Sequence, residues 1–282
     1  MSTDQLPLII SPESLRQLLA EEPSTAENLL LIAVCSKEVF NTHHLPGSQL
    51  IEPAELVSGE KPATGKIPTE EQLSQVFSRV GLEAGKHVIA YDDEGGGWAG
   101  RLIWTLEVIG HNNASYLDGG LVAWVKAGLP VTDSSDETQP SDYRAHIDSS
   151  LIAQLDEVKN QLGDPESVVW DARASEEYEG RKITAMRNGH IPGAVNLNWL
   201  HLMDPDNDLR LRPLEEIQAQ LDALGINSNK RVITHCQTHH RSGLTWLVGK
   251  ALGMDIRAYD GSWSEWGNRD DTPIDSAKVA GQ

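Results

Sequence analysis

Cysteine is nearly absent from this chain: Cys35 and Cys236 are the only two in 282 residues, and they lie far apart. That leaves no disulfide framework and no Cys-x-x-Cys pair for a structural zinc site, so two free thiols are expected. Basic residues are scarce as well, 23 Lys and Arg against 42 Asp and Glu, for a formal net charge of -19. A nucleic-acid partner needs a clustered basic footprint, which this balance does not supply. A small anionic substrate must then be drawn in by a local basic patch against the global field. No apolar run approaches the ~20 residues that span a bilayer, so no membrane partner is expected. The opening MSTDQLPLIISPESL has no basic stretch ahead of its apolar part, which Pro7 interrupts. A secretory signal is not expected on that pattern, and a reducing, cytoplasmic setting is. GGGW at 95–98 is followed by no Lys-Ser/Thr pair and fits no GxGxxG frame, so it is a turn and not a phosphate loop.

What the chain does have is a core-forming composition, 39% hydrophobic with 23% charged, and an internal repeat. GKHVIAYDDEGGGWAGRLIWTLEVIGHNNASYLDGGLVAWVKAGLPV from Gly85 parallels NKRVITHCQTHHRSGLTWLVGKALGMDIRAYDGSWSEWGNRDDTPI from Asn229. Upstream, LLLIAVCSKEVF (29–40) matches VVWDARASEEY (168–178), and HLPGSQLI (44–51) matches HIPGAVNL (190–197). Short apolar strands ended by turn residues, such as Lys86–Ala90 and Arg231–Thr234, alternate with helical stretches. That pattern predicts an α/β fold in which each half is a parallel sheet flanked by helices. The first helix is predicted at SPESLRQLLAEE, with Ser11 as its N-cap and Pro12 at its first position. The polar, acidic TDSSDETQPSDY (132–143) reads as a linker between domains at 1–131 and 144–282. Trp124, Trp263 and Trp266 read as core or interface anchors. His43 and His44 read as structural.

The two copies diverge at one turn. After the central strand the second half reads HCQTHHRSG and the first YDDEGGGWAG, so Asp92 stands where Cys236 stands. Open α/β sheets bind ligands at the carboxyl ends of their strands, where Cys236 falls. The second half also carries Asp171 and Arg173, read as a salt bridge bracing the site. Before HIPG it has an insertion, EGRKITAMRNGH, bearing Arg181, Lys182 and Arg187. The first half, rich in carboxylates at the same turn, reads as an inactive copy.

A turn between a strand end and a helix N-terminus can point successive N–H groups inward as an anion nest. With Arg241 beside it, Cys236 is expected to be a thiolate. Such a thiolate can attack phosphorus or sulfur. Four residues separate Cys236 from Arg241, one fewer than in the Cys-x5-Arg loops of phosphatases, and the tighter ring suits a single sulfur better than a phosphate. A metal reading through His235, Cys236, His239 and His240 lacks the usual ligand spacings, and no metal is expected. His239 and His240 either shape substrate choice or are simply solvated. Cys35, just past an apolar run, is expected to be packing.

These residues resemble the rhodanese superfamily in its tandem-domain, bacterial form, over nearly the whole chain. The resemblance is carried by CQTHHRS, AYDGSWSEW (258–266), FNTHHLPGS (40–48) and GHIPGAVN, and by aspartate in place of cysteine in the first copy. It implies two tandem rhodanese-like domains and a thiosulfate sulfurtransferase that works through a Cys236 persulfide, with no other cofactor. Gln237, Thr238, His239, His240, Arg241 and Ser242 would cradle the sulfur. Arg241, with Arg187 and Arg181, would hold the donor. The expected partners are thiosulfate and a cyanide or thiol acceptor, with the protein a monomer. The alternatives are a 3-mercaptopyruvate sulfurtransferase, a persulfide carrier serving other proteins and, further off, an arsenate reductase or phosphatase.

Overall fold

The structure, a computed structural model, describes residues 6–134 and 138–276. Within them the chain forms two compact units, each built on an all-parallel sheet.

The first unit holds β1 (Ile9–Ile10), β2 (Leu29–Val34), β3 (Gln49–Ile51), β4 (His87–Tyr91) and β5 (Ala114–Leu117), in the order β1-β5-β4-β2-β3. The sequences LLLIAV of β2 and HVIAY of β4 are apolar on both faces, as strands covered by helices on both sides must be. The first helix starts as expected: Ser11 Oγ accepts the Ser14 N–H at 3.1 Å, with Pro12 in the first turn. Cys35 is buried in this unit's core with Phe40, Leu45 and Trp124.

The second unit repeats the plan. Its strands are β6 (Ser167–Asp171) and β7 (Val195–Asn196), then, past a short antiparallel ribbon of β8 (Met203–Asp204) and β9 (Arg210–Leu211) that belongs to the first unit, β10 (Arg231–His235) and β11 (Asp255–Ala258). The sheet order is β11-β10-β6-β7, and a parallel bridge from Ile152 to Ala258 takes the place that β1 has in the first sheet. Trp124 and Trp266 are equivalent, fully buried anchors. The indole N–H of Trp124 donates to Pro130 O and that of Trp266 to Pro273 O, both at 2.8 Å. Burial of each such indole is worth roughly 3–5 kcal/mol against truncation to Ala.

The units do not divide at a single point. Ser58–Ile67 belongs to the second unit and Met203–Leu211 to the first, which otherwise runs on to Ser149. Residues 135–137 of the expected linker lie outside the described residues. Its end is tied to the first unit: Ser141 and Tyr143 donate their N–H groups to Ser78 O (2.9 Å) and Ser78 Oγ (3.0 Å).

Candidate active site

β10 is the central strand of the second sheet, and its apolar face delivers His235 and Cys236 to the carboxyl edge. The loop then turns through His239, whose φ of 54° is left-handed, into the helix Arg241–Ala251. Cys236 is fully buried, under half-buried Gln237, Thr238, His240 and Arg241. Burial pushes its thiol up, but the Arg241 charge, the Ser242 hydroxyl and N–H, and His240 outweigh burial and hold it below the ordinary cysteine value. Ser242 is held in turn by His239 Nδ1 at 2.7 Å, and His240 packs edge-on against Trp199.

The loop is clamped from below. Cys236 O accepts the Trp263 N–H at 3.0 Å, Gln237 O accepts the Ser264 N–H at 2.9 Å, and the Cys236 N–H reaches Ser262 Oγ at 3.4 Å. The Gln237 side chain donates to Thr184 O at 2.9 Å, which fastens the insertion to the loop.

Arg241 is oriented by a bidentate pair with Glu177, at 2.6 and 3.0 Å. Burial raises the Glu177 carboxyl, yet Arg241 holds it below its usual range. Asp171 and Arg173 pair at 2.6 Å with no exposure, and the Arg173 guanidinium stacks 4.4 Å above the Trp263 ring. Asp171 also faces His235 Nε2 at 3.5 Å. Against burial, His235 and Arg173 keep Asp171 ionised. This pair sits behind the loop, beside the residue that precedes Cys236.

The insertion arginines are engaged elsewhere. Arg187 donates to Thr272 O at 2.9 Å, to Thr272 Oγ1 and to Trp266 O, and exposed Arg181 pairs with Glu179. The arginine charge that acts on Cys236 is that of Arg241. Among the described residues, no three His, Cys, Asp or Glu side chains are grouped to hold a metal ion.

In the first unit the equivalent nest is filled from within. Asp92 Oδ1 accepts the N–H groups of Glu94 (3.2 Å), Gly95 (3.1 Å) and Gly96 (2.8 Å), and Oδ2 accepts that of Ala99 (2.9 Å). The amides that would cradle an anion already hold a carboxylate. Burial, and then Glu94, push that carboxyl up to about 6. Nearby Cys35 is pushed up to about 12, by burial first and then Asp93 and Asp92, so it stays a thiol.

The rhodanese-like domain matches twice, at residues 11–127 and 154–269. The chain belongs to the rhodanese family. Among rhodanese relatives, it is 41% identical over 271 residues to a protein of Azotobacter vinelandii named thiosulfate sulfurtransferase, covering 96% of this chain and 97% of that one. It is 42% identical over 275 residues to a Pseudomonas aeruginosa protein of the same name, again 96% and 97%. A human 3-mercaptopyruvate sulfurtransferase is 29% identical over 244 residues, 82% of this chain and 79% of that one.

Sequence reasoning missed Glu177 and Ser262. Glu177 is one of several acids in ASEEYEG, and no spacing rule separates it from Glu176 or Glu179. Ser262 had a signal, because the repeat aligns DGG (118–120) with DGS (260–262).

Proposed function

We propose that this rhodanese is a thiosulfate sulfurtransferase that carries sulfane sulfur on Cys236. The observation that carries the reading is the buried Cys236 thiolate, held by Arg241 and Ser242 in one copy of the fold while Asp92 plugs the same nest in the other. The thiolate attacks the outer sulfur of thiosulfate, the S–S bond breaks, and sulfite leaves with the electron pair. The persulfide then gives its outer sulfur to cyanide, forming thiocyanate, or to a thiol, and the Cys236 thiolate is restored. Gln237 to Ser242 line the persulfide, and their N–H groups share its charge. Arg241, aligned by Glu177, faces the incoming anion; access runs over Gln237, Thr238, His240 and Arg241. Asp171 and Arg173 brace β6 against the end of β10. Arg187 and Arg181 act through the insertion rather than at the sulfur.

We read the CQTHHRS loop as that of the bacterial thiosulfate:cyanide enzymes, a reading supported by the two bacterial relatives named thiosulfate sulfurtransferase. Intact mass after mixing with thiosulfate tests the function. The expected result is a gain of one sulfur atom, lost on adding cyanide and absent in Cys236→Ser. No gain at any thiosulfate concentration overturns it. The runner-up, 3-mercaptopyruvate as the donor, is decided by kcat/KM for the two donors.

A further inference from the structure

Besides His239, a second left-handed residue beside the thiol lies outside its loop. Ser262 has φ 53°, in the left-handed region where a side chain is penalised. Its counterpart in the first copy is Gly120, at φ 54°. At both positions the backbone makes the same turn under the same loop. The next N–H, from Leu121 in one copy and Trp263 in the other, donates to the carbonyl of Asp92 or Cys236, at 2.8 and 3.0 Å. In the first copy glycine meets that backbone requirement, and a Cβ there would lie 2.3 Å from Asp92 O. The second copy keeps the turn and puts a serine in it.

The serine is fully buried, so its hydroxyl is not there for solvation. Ser262 Oγ donates to Tyr259 O at 2.9 Å, which aims its lone pairs at the Cys236 N–H, 3.4 Å away. Strain of this kind persists only where surrounding structure holds it, and it collects at functional sites. Here it coincides with the one backbone N–H that belongs to the nucleophile itself.

We propose that Ser262 is a positioning residue for sulfur transfer: its hydroxyl takes the Cys236 N–H and so fixes the peptide that aims Sγ at Ser242 and Arg241. The inactive copy has no thiol to aim and reverts to glycine. This rests on Cys236 being the sulfur carrier, but its test does not depend on sulfur transfer alone.

Two variants separate strain from aim. Ser262→Gly relieves the backbone, so Tm is expected to rise by about 2 °C. With the hydroxyl gone, sulfite release in a single turnover with thiosulfate is expected to slow about tenfold, the scale of one lost hydrogen bond. Ser262→Ala keeps the strain and loses the hydroxyl, so it is expected to slow similarly without the gain in Tm. In both, alkylation of Cys236 by iodoacetamide is expected to need a higher pH than in the wild type. The charged groups around the thiol, Arg241, His240, His235, Asp171, Arg173 and Glu177, are unchanged, so that displacement reads the placement of the thiol. A wild-type alkylation profile in both variants, or a lowered Tm in Ser262→Gly, overturns the proposal. If wild-type protein takes no sulfur, the function falls, and the alkylation profiles still decide the role of Ser262.

Discussion

Replacing Gly65 with alanine should disable the catalytic loop without touching it. Gly65 is buried within Ser58–Ile67, a strap that belongs to the catalytic unit. A Cβ at this position would lie 2.2 Å from Thr238 O, 2.5 Å from its carbonyl carbon and 2.6 Å from its Cα. A carbon and a carbonyl oxygen come no closer than about 3.3 Å, so the two backbones must separate by roughly 1 Å. The strap cannot simply lift. It closes on itself through Ser58 N–H to Lys66 O at 2.7 Å, and it is pinned by Ile67 N–H to Asp260 Oδ2 and by Lys66 to Glu265, both at 2.9 Å. Thr238 moves instead, two residues from the nucleophile. A 1 Å misplacement of reacting groups costs on the order of 100-fold in rate, or about 2.7 kcal/mol of barrier. Stopped-flow measurement of sulfite release reads the rate, and circular dichroism reads the fold. Adding Lys66→Ala, which removes the strap's tie to Glu265, should recover part of the loss. A Gly65→Ala protein within about twofold of the wild-type rate would refute the reasoning, because the full displacement it predicts carries ~100-fold.

Three other outcomes follow from the same contacts. Arg241→Gln removes the nearest positive charge from Cys236, so the pH for half-maximal alkylation by iodoacetamide should rise by about 1 pH unit or more. Asp92 has a folded-state value raised to about 6 from 3.8. The stability it confers is therefore full below pH ~4 and lost as pH rises through ~6, up to about 3 kcal/mol in all. Denaturant titrations of wild type and Asp92→Asn from pH 4 to 7 should show this difference, wild type gaining on the variant as pH falls. Arg173→Ala leaves Asp171 charged and without exposure, its bidentate partner gone and His235 at 3.5 Å beside it, and should cost about 3 kcal/mol in urea unfolding.

Much of this was legible in the sequence because duplication supplies its own control. Aligning the halves isolated Cys236 against Asp92 and predicted two parallel sheets, since apolar runs such as LLLIAV admit no solvent-facing side. Burial of the three tryptophans followed from the same pattern. The rest depended on which groups meet in space. Nothing in ASEEYEG marks Glu177 as the partner of Arg241, because that pairing spans 64 residues and is set by packing of the helix Ser175–Tyr178 beside the loop. Arg187 lies just before GHIPG, as expected, but the insertion folds it onto Thr272, a tertiary contact with no local signature. The left-handed turn at His239 was equally hidden, since a histidine there gives no hint of positive φ.

The exchange of Ser58–Ile67 and Met203–Leu211 between the units ties the copy that holds Asp92 to the copy that holds Cys236 by chain connectivity. A gene cut within 132–143 would yield a catalytic fragment missing the strap over Thr238 and a partner fragment missing its ribbon. Neither product inherits a complete unit. A deletion confined to the first half therefore also takes the Ser58–Ile67 strap from the unit that holds Cys236.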